Sequence, residues 1–273
     1  VRNERLFPSE DLDLTPPSGD RWSDWETAEH GPDPRPPWVI TEGAATDTEL
    51  GVLKTGKEAD VHLLERAVPG TERRCLLAAK RYRTAEHKMF HRDAGYLEGR
   101  RVRRSRETRA MANRTAFGRE LLADQWAAAE FAALGRLWAG GAPVPYPVSR
   151  SGRELLLEFV GDADGTAAPR LAQVRPSPEQ LADLWEQLVG ALLALAGLGL
   201  AHGDLSPYNL LVHDDRLVLI DLPQVVDVVG NPGGMDFLAR DVRNVTAWFA
   251  ARGLPAATGD PDELLARLIG VLW

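Results

Sequence analysis

His202-Gly-Asp-Leu-Ser-Pro-Tyr-Asn-Leu-Leu-Val212, followed by Leu217-Val-Leu-Ile-Asp221-Leu-Pro-Gln224, is the stretch on which the reading of this chain turns. Asp204 and Asn209 stand in D-x-x-x-x-N spacing, and Asp221 closes a short apolar run that reads as a strand. Two facing strands, Leu210–His213 and Arg216–Ile220, turning at Asp214-Asp215, would carry these groups to one spot. The set suits phosphoryl transfer: one carboxylate handles the acceptor's proton, while an amide and a second carboxylate hold Mg²⁺ (or Mn²⁺) on ATP. An Asp and an Asn at this spacing would by themselves fit a surface hairpin with scattered acids. The His-Gly before Asp204 and the Ile-Asp after the hairpin decide for a phosphotransferase.

The totals set bounds around that loop. With 273 residues, 44% of them hydrophobic, the chain can bury a sizeable core in one bilobal domain or two small ones. A net charge of −8 argues against a general nucleic-acid binder. The single Cys75 excludes an intramolecular disulfide, fits a reducing compartment and, lying in an apolar run, reads as inert packing. No signal peptide is visible, and the most apolar window, Leu188–Leu200, is too short to span a bilayer. A soluble, cytoplasmic protein without membrane contact is expected.

Residues 1–45 are rich in Pro, Asp and Glu without an apolar period, and read as a disordered tail. Trp22, Trp25 and Trp38 are unusual in such a tail and are expected to pack on the domain's own surface. Glu49–Lys54, Asp60–Glu65 and Cys75–Tyr82 read as an antiparallel meander. The first turn, Thr55-Gly-Lys-Glu-Ala59, forms with Gly51 a near-match to a nucleotide-binding P-loop. That match fails twice: Glu58 replaces the Ser or Thr whose hydroxyl reaches Mg²⁺, and a strand rather than a helix follows. A phosphate-covering turn between strands fits better, with Gly56 giving close backbone approach and Thr55 and Lys57 polar contacts.

Lys80 follows small Ala78 and Ala79 in an apolar strand. A lone lysine is nearly always solvated, but on a third strand it reads as an ammonium aimed at the α/β-phosphates. Glu120–Trp138 reads as a helix ending at Gly140-Gly141, and its Glu130 is the expected partner of Lys80, ahead of Glu120. Between them, Arg83–Arg119 carries eleven Arg and Lys against four acids. It reads as a flexible loop whose charge suits phosphates, either of RNA or of an acidic partner surface, with Ser105 in Arg103-Arg-Ser-Arg106 the candidate for autophosphorylation. Pro143–Ser149 and Glu154–Val160 make a second hairpin through Ser151-Gly152-Arg153. The backbone from Glu158 to Val160 would serve adenine as a hinge, with Leu157 at the back of the pocket and Val61, Ala78 and Leu211 lining it. Ser177-Pro-Glu-Gln180 is a capping box opening a helix to about Leu198. After Asp221 come a Gly/Pro loop, a helix through Met235–Arg252 and a last helix opened by Asp260-Pro261. No A-P-E follows, and there is no room for a full helical half-lobe.

These motifs together resemble a RIO-type atypical serine/threonine protein kinase, of the branch without an N-terminal winged helix and of a bacterial type. The resemblance rests on Thr55-Gly-Lys-Glu-Ala59, Ala79-Lys80, Glu130-Phe131, Pro143–Pro147, Leu156-Leu-Glu-Phe159, the His202–Asn209 loop, Ile220-Asp221-Leu-Pro-Gln224 and Phe237–Asn244. It runs from about residue 48 to about residue 252. Lys54 and Pro207 depart from it, standing where many members have Ser or Ala and Glu. The resemblance implies Asp204 as the catalytic aspartate, Asn209 and Asp221 as Mg²⁺ ligands, Lys80 on the phosphates, and a protein kinase or ATPase tied to ribosomal-subunit maturation, with an unknown protein substrate. The expected fold is α+β and bilobal: a kinase-like N-lobe over 46–160, carrying the basic loop 83–119, and a truncated helical C-lobe over 161–273. Two other readings stand beside it. An aminoglycoside/choline-type small-molecule kinase shares His-Gly-Asp but carries a large helical C-lobe. An ATP-responsive, non-catalytic binding module would have no need of the full set Lys80, Asp204, Asn209 and Asp221.

Overall fold

The computed structural model describes residues 16–84 and 116–272. Its N-lobe is a seven-stranded antiparallel sheet of β1 (Arg21–Trp22), β2 (Glu29–His30), β3 (Thr46–Thr55), β4 (Ala59–Ala67), β5 (Arg74–Tyr82), β6 (Pro147–Ser151) and β7 (Glu154–Glu158), in the order β1-β3-β4-β5-β7-β6-β2. Alternation along the strands sorts the apolar side chains onto two faces. Ala59, Tyr82, Leu155 and Leu157 join one core with α1 (Ala116–Ala139), through Ala127, Phe131, Leu134 and Leu137. Leu64, Leu77, Ala79 and Leu156 enter a second core on the opposite face.

What covers that second face corrects the expectation of disorder for residues 16–45; residues 1–15 of that expectation lie outside the described residues. Residues 16–45 cross the sheet as a strap, supplying β1 at one rim and β2 at the other. Its own Trp25, Val39 and Ile40 are buried, and its Trp38 flanks them, edge-on to Tyr146 with ring centroids 6.2 Å apart. The tryptophans therefore meet the domain's own surface, as their presence among prolines suggests, although Trp22 stays partly exposed. Proline content misleads here because each rim strand is only two residues long and has one neighbour, so few backbone donors are required. The strap is held by side chains instead. Arg66, fully buried on β4, donates Nε and Nη2 to the two Asp47 oxygens (2.7 and 2.9 Å) and Nη2 also to Asp24 of the strap (3.0 Å). Burial lifts the Cys75 thiol to about 11, in keeping with inert packing.

The C-lobe follows the sequence signals closely. Ser177 caps α2 (Pro178–Gly197): its Oγ accepts the Gln180 N–H (3.2 Å), and Gln180 Oε1 accepts the Ser177 N–H (3.1 Å). One stripe of α2, including Leu181, Leu184, Leu188, Leu192 and Leu195, is buried in the same core that α1 enters, which therefore runs through both lobes. A short pair, β8 (Leu200–Ala201) with β11 (Val226–Asp227), brackets the catalytic-type loop. The hairpin β9 (Leu210–His213) and β10 (Arg216–Leu219) turns at Asp214 and Asp215, both at positive φ. That is the left-handed conformation a two-residue hairpin turn requires. α3 (Gly234–Ala250) and α4 (Pro261–Gly270) close the lobe, packing through Trp185, Trp248 and Phe249. The sheet-and-helix lobe over a short helical lobe is the expected α+β, bilobal kinase-like fold. The basic segment and Ser105 lie outside the described residues, apart from Arg83, forked onto Asp60 at 2.7 Å, and the start of α1 at Ala116 rather than Glu120. Among the described residues no helix is long and apolar enough to cross a membrane.

Candidate active site

Between the lobes lies a cavity of about 840 Å³, a size suited to a nucleotide. Gly56, Lys57, Val61, Ala78 and Lys80 line it from the sheet, Glu130 from α1, Glu158 and Val160 from the lobe connection, and Asp204, Leu211 and Asp221 from below. Two expected residues are not on its wall. Thr55 ends β3 exposed, because the turn closes by Gly56 N–H donating to the Ala59 carbonyl (3.0 Å), without help from the threonine hydroxyl. Asn209 is buried behind the loop, where its Nδ2 donates to the Asp204 carbonyl (2.9 Å). That bond leaves Oδ1 as the amide's remaining acceptor.

Lys80 is the centre of the site. Its buried Nζ donates to Glu130 Oε1 at 2.7 Å and to Asp221 Oδ1 at 2.8 Å. Thus the ammonium is paired to α1 on one side and to the lower lobe on the other. Burial alone would lower its pKa; the two carboxylates outweigh it and hold the value above that of an ordinary lysine. Burial likewise opposes ionisation of Asp221, yet Lys80, helped by Lys54 at 3.8 Å, draws its carboxyl down to about 2. Both groups are therefore charged at neutral pH. Glu130 is fixed from three directions, accepting also from Tyr82 Oη (2.5 Å) and the Leu222 N–H (3.1 Å). Burial is the first cause that raises the Tyr82 pKa well above normal, so the phenol stays a donor.

The loop below is braced by α3. Asp241, fully buried, accepts the backbone N–H groups of Gly203 (2.7 Å) and Leu205 (2.9 Å), and Asn244 Nδ2 donates to the Leu205 carbonyl (3.2 Å). The Gly203 carbonyl accepts from Arg240 Nη2. Gly203 must be glycine: its φ is +84° and a Cβ would fall 2.1 Å from the Gln224 carbonyl oxygen. This explains His-Gly rather than His-Arg in the loop. Asp221 itself sits at φ +66°, and His202, fully buried, is tied through Nε2 to the Ile220 carbonyl (3.1 Å).

At the lobe connection Glu158 is tied to Tyr146 twice: its carboxylate accepts the Tyr146 N–H (2.9 Å) and its own N–H donates to the Tyr146 carbonyl (2.8 Å). Val160's carbonyl accepts from Ala168 N–H (3.0 Å). Tyr82, Asp241 and the cavity-lining Arg170, whose Nη1 donates to the Tyr208 carbonyl (2.7 Å), have no part in the sequence reading above. Tyr82 was within reach of it, lying two residues beyond Lys80 and so on the same strand face. Asp241 carries a weaker signal, an acid inside the buried stripe of a helix.

The donor set fits Mg·ATP. Among the described residues no group of three or more His, Cys, Asp or Glu could hold a metal alone, and Mg²⁺ shared with phosphates needs only one or two protein oxygens. Of such oxygens the Asp221 carboxylate lies at the cavity, and the Asn209 amide lies behind the loop, off the cavity wall.

Residues 72–261 match the pattern of the RIO domain family. A Haloferax volcanii RIO-type serine/threonine-protein kinase Rio1 is 41% identical over 145 residues, 53% of this chain and 48% of its own length. Serine/threonine-protein kinase RIO1 of Caenorhabditis elegans is 33% identical over 237 residues, 85% of this chain and 44% of its own. The chain thus spans less than half the length of these relatives. Among solved structures, the ADP/Mg²⁺–phosphoaspartate complex of Rio2 kinase from Chaetomium thermophilum is similar with a TM-score of 0.55 and 23% identity, over 82% of this chain and 66% of that one.

Proposed function

This chain belongs to the RIO domain family, and on that premise we propose that it is an ATP- and Mg²⁺-dependent phosphotransferase acting as a serine/threonine protein kinase, an ATPase, or both. The observation that carries the reading is the buried Lys80 ammonium paired at once to Glu130 and Asp221 at the cavity. In this reading Lys80 orients the α/β-phosphates, and Glu130 keeps the ammonium in place. Asn209 and Asp221 hold Mg²⁺, which when bound neutralises charge on the β- and γ-phosphates. Gly56 lets the backbone of its turn approach the phosphates, while Val61, Ala78 and Leu211 enclose the adenine and the Glu158–Val160 backbone borders it. Asp204 faces the transferred group from below. It serves either as base for a serine hydroxyl or as phosphoryl acceptor itself, the latter by analogy with the phosphoaspartate in the Rio2 complex.

The basic segment Arg83–Arg119 belongs to the same proposal, as a contact for an RNA or ribosomal-subunit polyanion. Incubating the full chain with γ-labelled ATP tests the reading. Label on the protein, free phosphate, or both are expected, and both should vanish in Asp204→Ala. Release unaffected by that change would refute the assignment of Asp204.

A further inference from the structure

Lys54 lines the cavity with Lys57, Lys80 and Arg170, and its placement is built. β3 is bulged between Val52 and Lys54, so that Lys54 rather than Leu53 lies directly opposite Val61 on β4. Val61 in turn lies opposite Lys80 on β5. Residues directly opposed on neighbouring strands share a face, so Lys54, Val61 and Lys80 form one row across the ceiling of the cleft. Bulges are a means of re-aiming a side chain beside a site. From the two ends of this row the ammoniums converge on one carboxylate: Lys80 lies 2.8 Å from Asp221 Oδ1 and Lys54 3.8 Å from Oδ2.

The two lysines differ in freedom. Lys80 is buried with a second carboxylate, whereas Lys54 is 41% exposed and its pairing with Asp221 is a loose one. A mobile ammonium on a four-carbon stem, rooted in the strand that leads into the Gly56 turn, can leave Asp221 when a stronger anion arrives. Lys80 is engaged at the α/β side. Lys54, on the other oxygen of Asp221 from Lys80, would meet the end of a polyphosphate that Lys80 does not engage.

Resting on the phosphotransferase reading above, we infer that Lys54, held loosely beside Asp221, is a second phosphate-binding cation that engages the terminal phosphate of a nucleoside triphosphate. The site thereby distinguishes triphosphate from diphosphate by a residue outside the family's motif.

The test is calorimetric binding of a non-hydrolysable ATP analogue and of ADP, each with Mg²⁺, to the full chain and to Lys54→Met and Lys54→Arg. The wild-type chain should bind the triphosphate more tightly than ADP. Lys54→Met should weaken triphosphate binding by about 10-fold or more, the loss of one charge-assisted contact, while ADP affinity changes less than about 3-fold. Lys54→Arg should keep the preference, which a merely structural role in β3 would not require. A triphosphate-to-diphosphate ratio that is absent in the wild type, or unchanged in Lys54→Met, overturns the role of Lys54 and leaves the phosphotransferase reading standing. A wild-type chain that binds neither nucleotide overturns that reading, and this inference with it.

Discussion

Two buried cations sit on opposite faces of the same sheet, each between two carboxylates. Arg66 is fully buried and takes both its partners from within the same sheet and the strap that crosses it: Asp47 lies directly opposite on β3, and Asp24 lies in the strap. Lys80 is nearly as buried, but Glu130 and Asp221 come from α1 and from the other lobe, 50 and 141 residues away. The guanidinium makes a bidentate fork that nothing else can enter, with Asp47 only 1% exposed. The ammonium is a point charge whose partner Asp221 is 34% exposed at an open cavity. The contrast separates a clamp from a site. The same charge pattern is structural where its geometry is closed, and chemical where one partner still faces solvent.

The largest effect should come from the open cluster. Asp221→Asn is expected to abolish Mg²⁺-dependent turnover while leaving the unfolding midpoint almost unchanged, because Glu130 still neutralises Lys80. A large stability loss with intact turnover would invert the comparison. Arg66→Met should do the reverse. It strands the buried Asp47 carboxylate and should destabilise the chain by about 3–5 kcal/mol in denaturant unfolding, with turnover per folded molecule preserved. Asp204→Ala should lower kcat by at least ~10²-fold without weakening ATP binding, since its proposed role is at the transferred group and not in holding the nucleotide. If affinity falls as far as kcat, the roles of the two aspartates have been exchanged.

The smallest effect concerns the rim of the closed face. Glu154 accepts from Arg21 of the strap and from Arg81, each at 2.5 Å. Burial would raise its pKa, but those two arginines outweigh it and hold the carboxyl below its ordinary 4.5. A depressed pKa gives stability that is fully present above about pH 4.5 and is lost as pH falls through the lower folded value. Glu154→Gln should therefore cost about 1 kcal/mol at pH 7 and less as the pH drops below that window, as followed by urea midpoints across pH. A pH-independent difference would show that the contact is not ionic.

The open face was legible in the sequence and the closed face was not, for a physical reason. Asp204, Asn209 and Asp221 lie within one loop and hairpin, so their spacing alone brings them together. Lys80 and Glu130 are far apart in sequence, yet each is marked as a charge inside an apolar element. The strap is marked only by its tryptophans, which point to packing on the domain but not to where. Its strands are two residues long, its prolines argue against order, and its Asp24 and Arg21 look like any surface charges until Arg66 and Glu154 are placed beside them. Thr55 was over-read for a related reason: a hydroxyl at the right position in a motif says nothing about which way the turn presents it. Gly203 could be seen as a departure from His-Arg, but only the approach of the Gln224 backbone explains it.

The strap also bears on the order in which the molecule is made. It emerges from the ribosome ahead of the strands it covers and finds one rim first, since Arg21 pairs with Asp47. Its other end must wait for β6, where Glu29 meets Arg150 across 121 residues. Until β7, which joins β6 to the rest of the sheet, has been synthesised through Glu158, Trp25, Val39 and Ile40 have no complete face to cover. The first described segment of the chain is thus among the last to settle, and the nascent lobe carries an uncovered apolar surface for most of its synthesis.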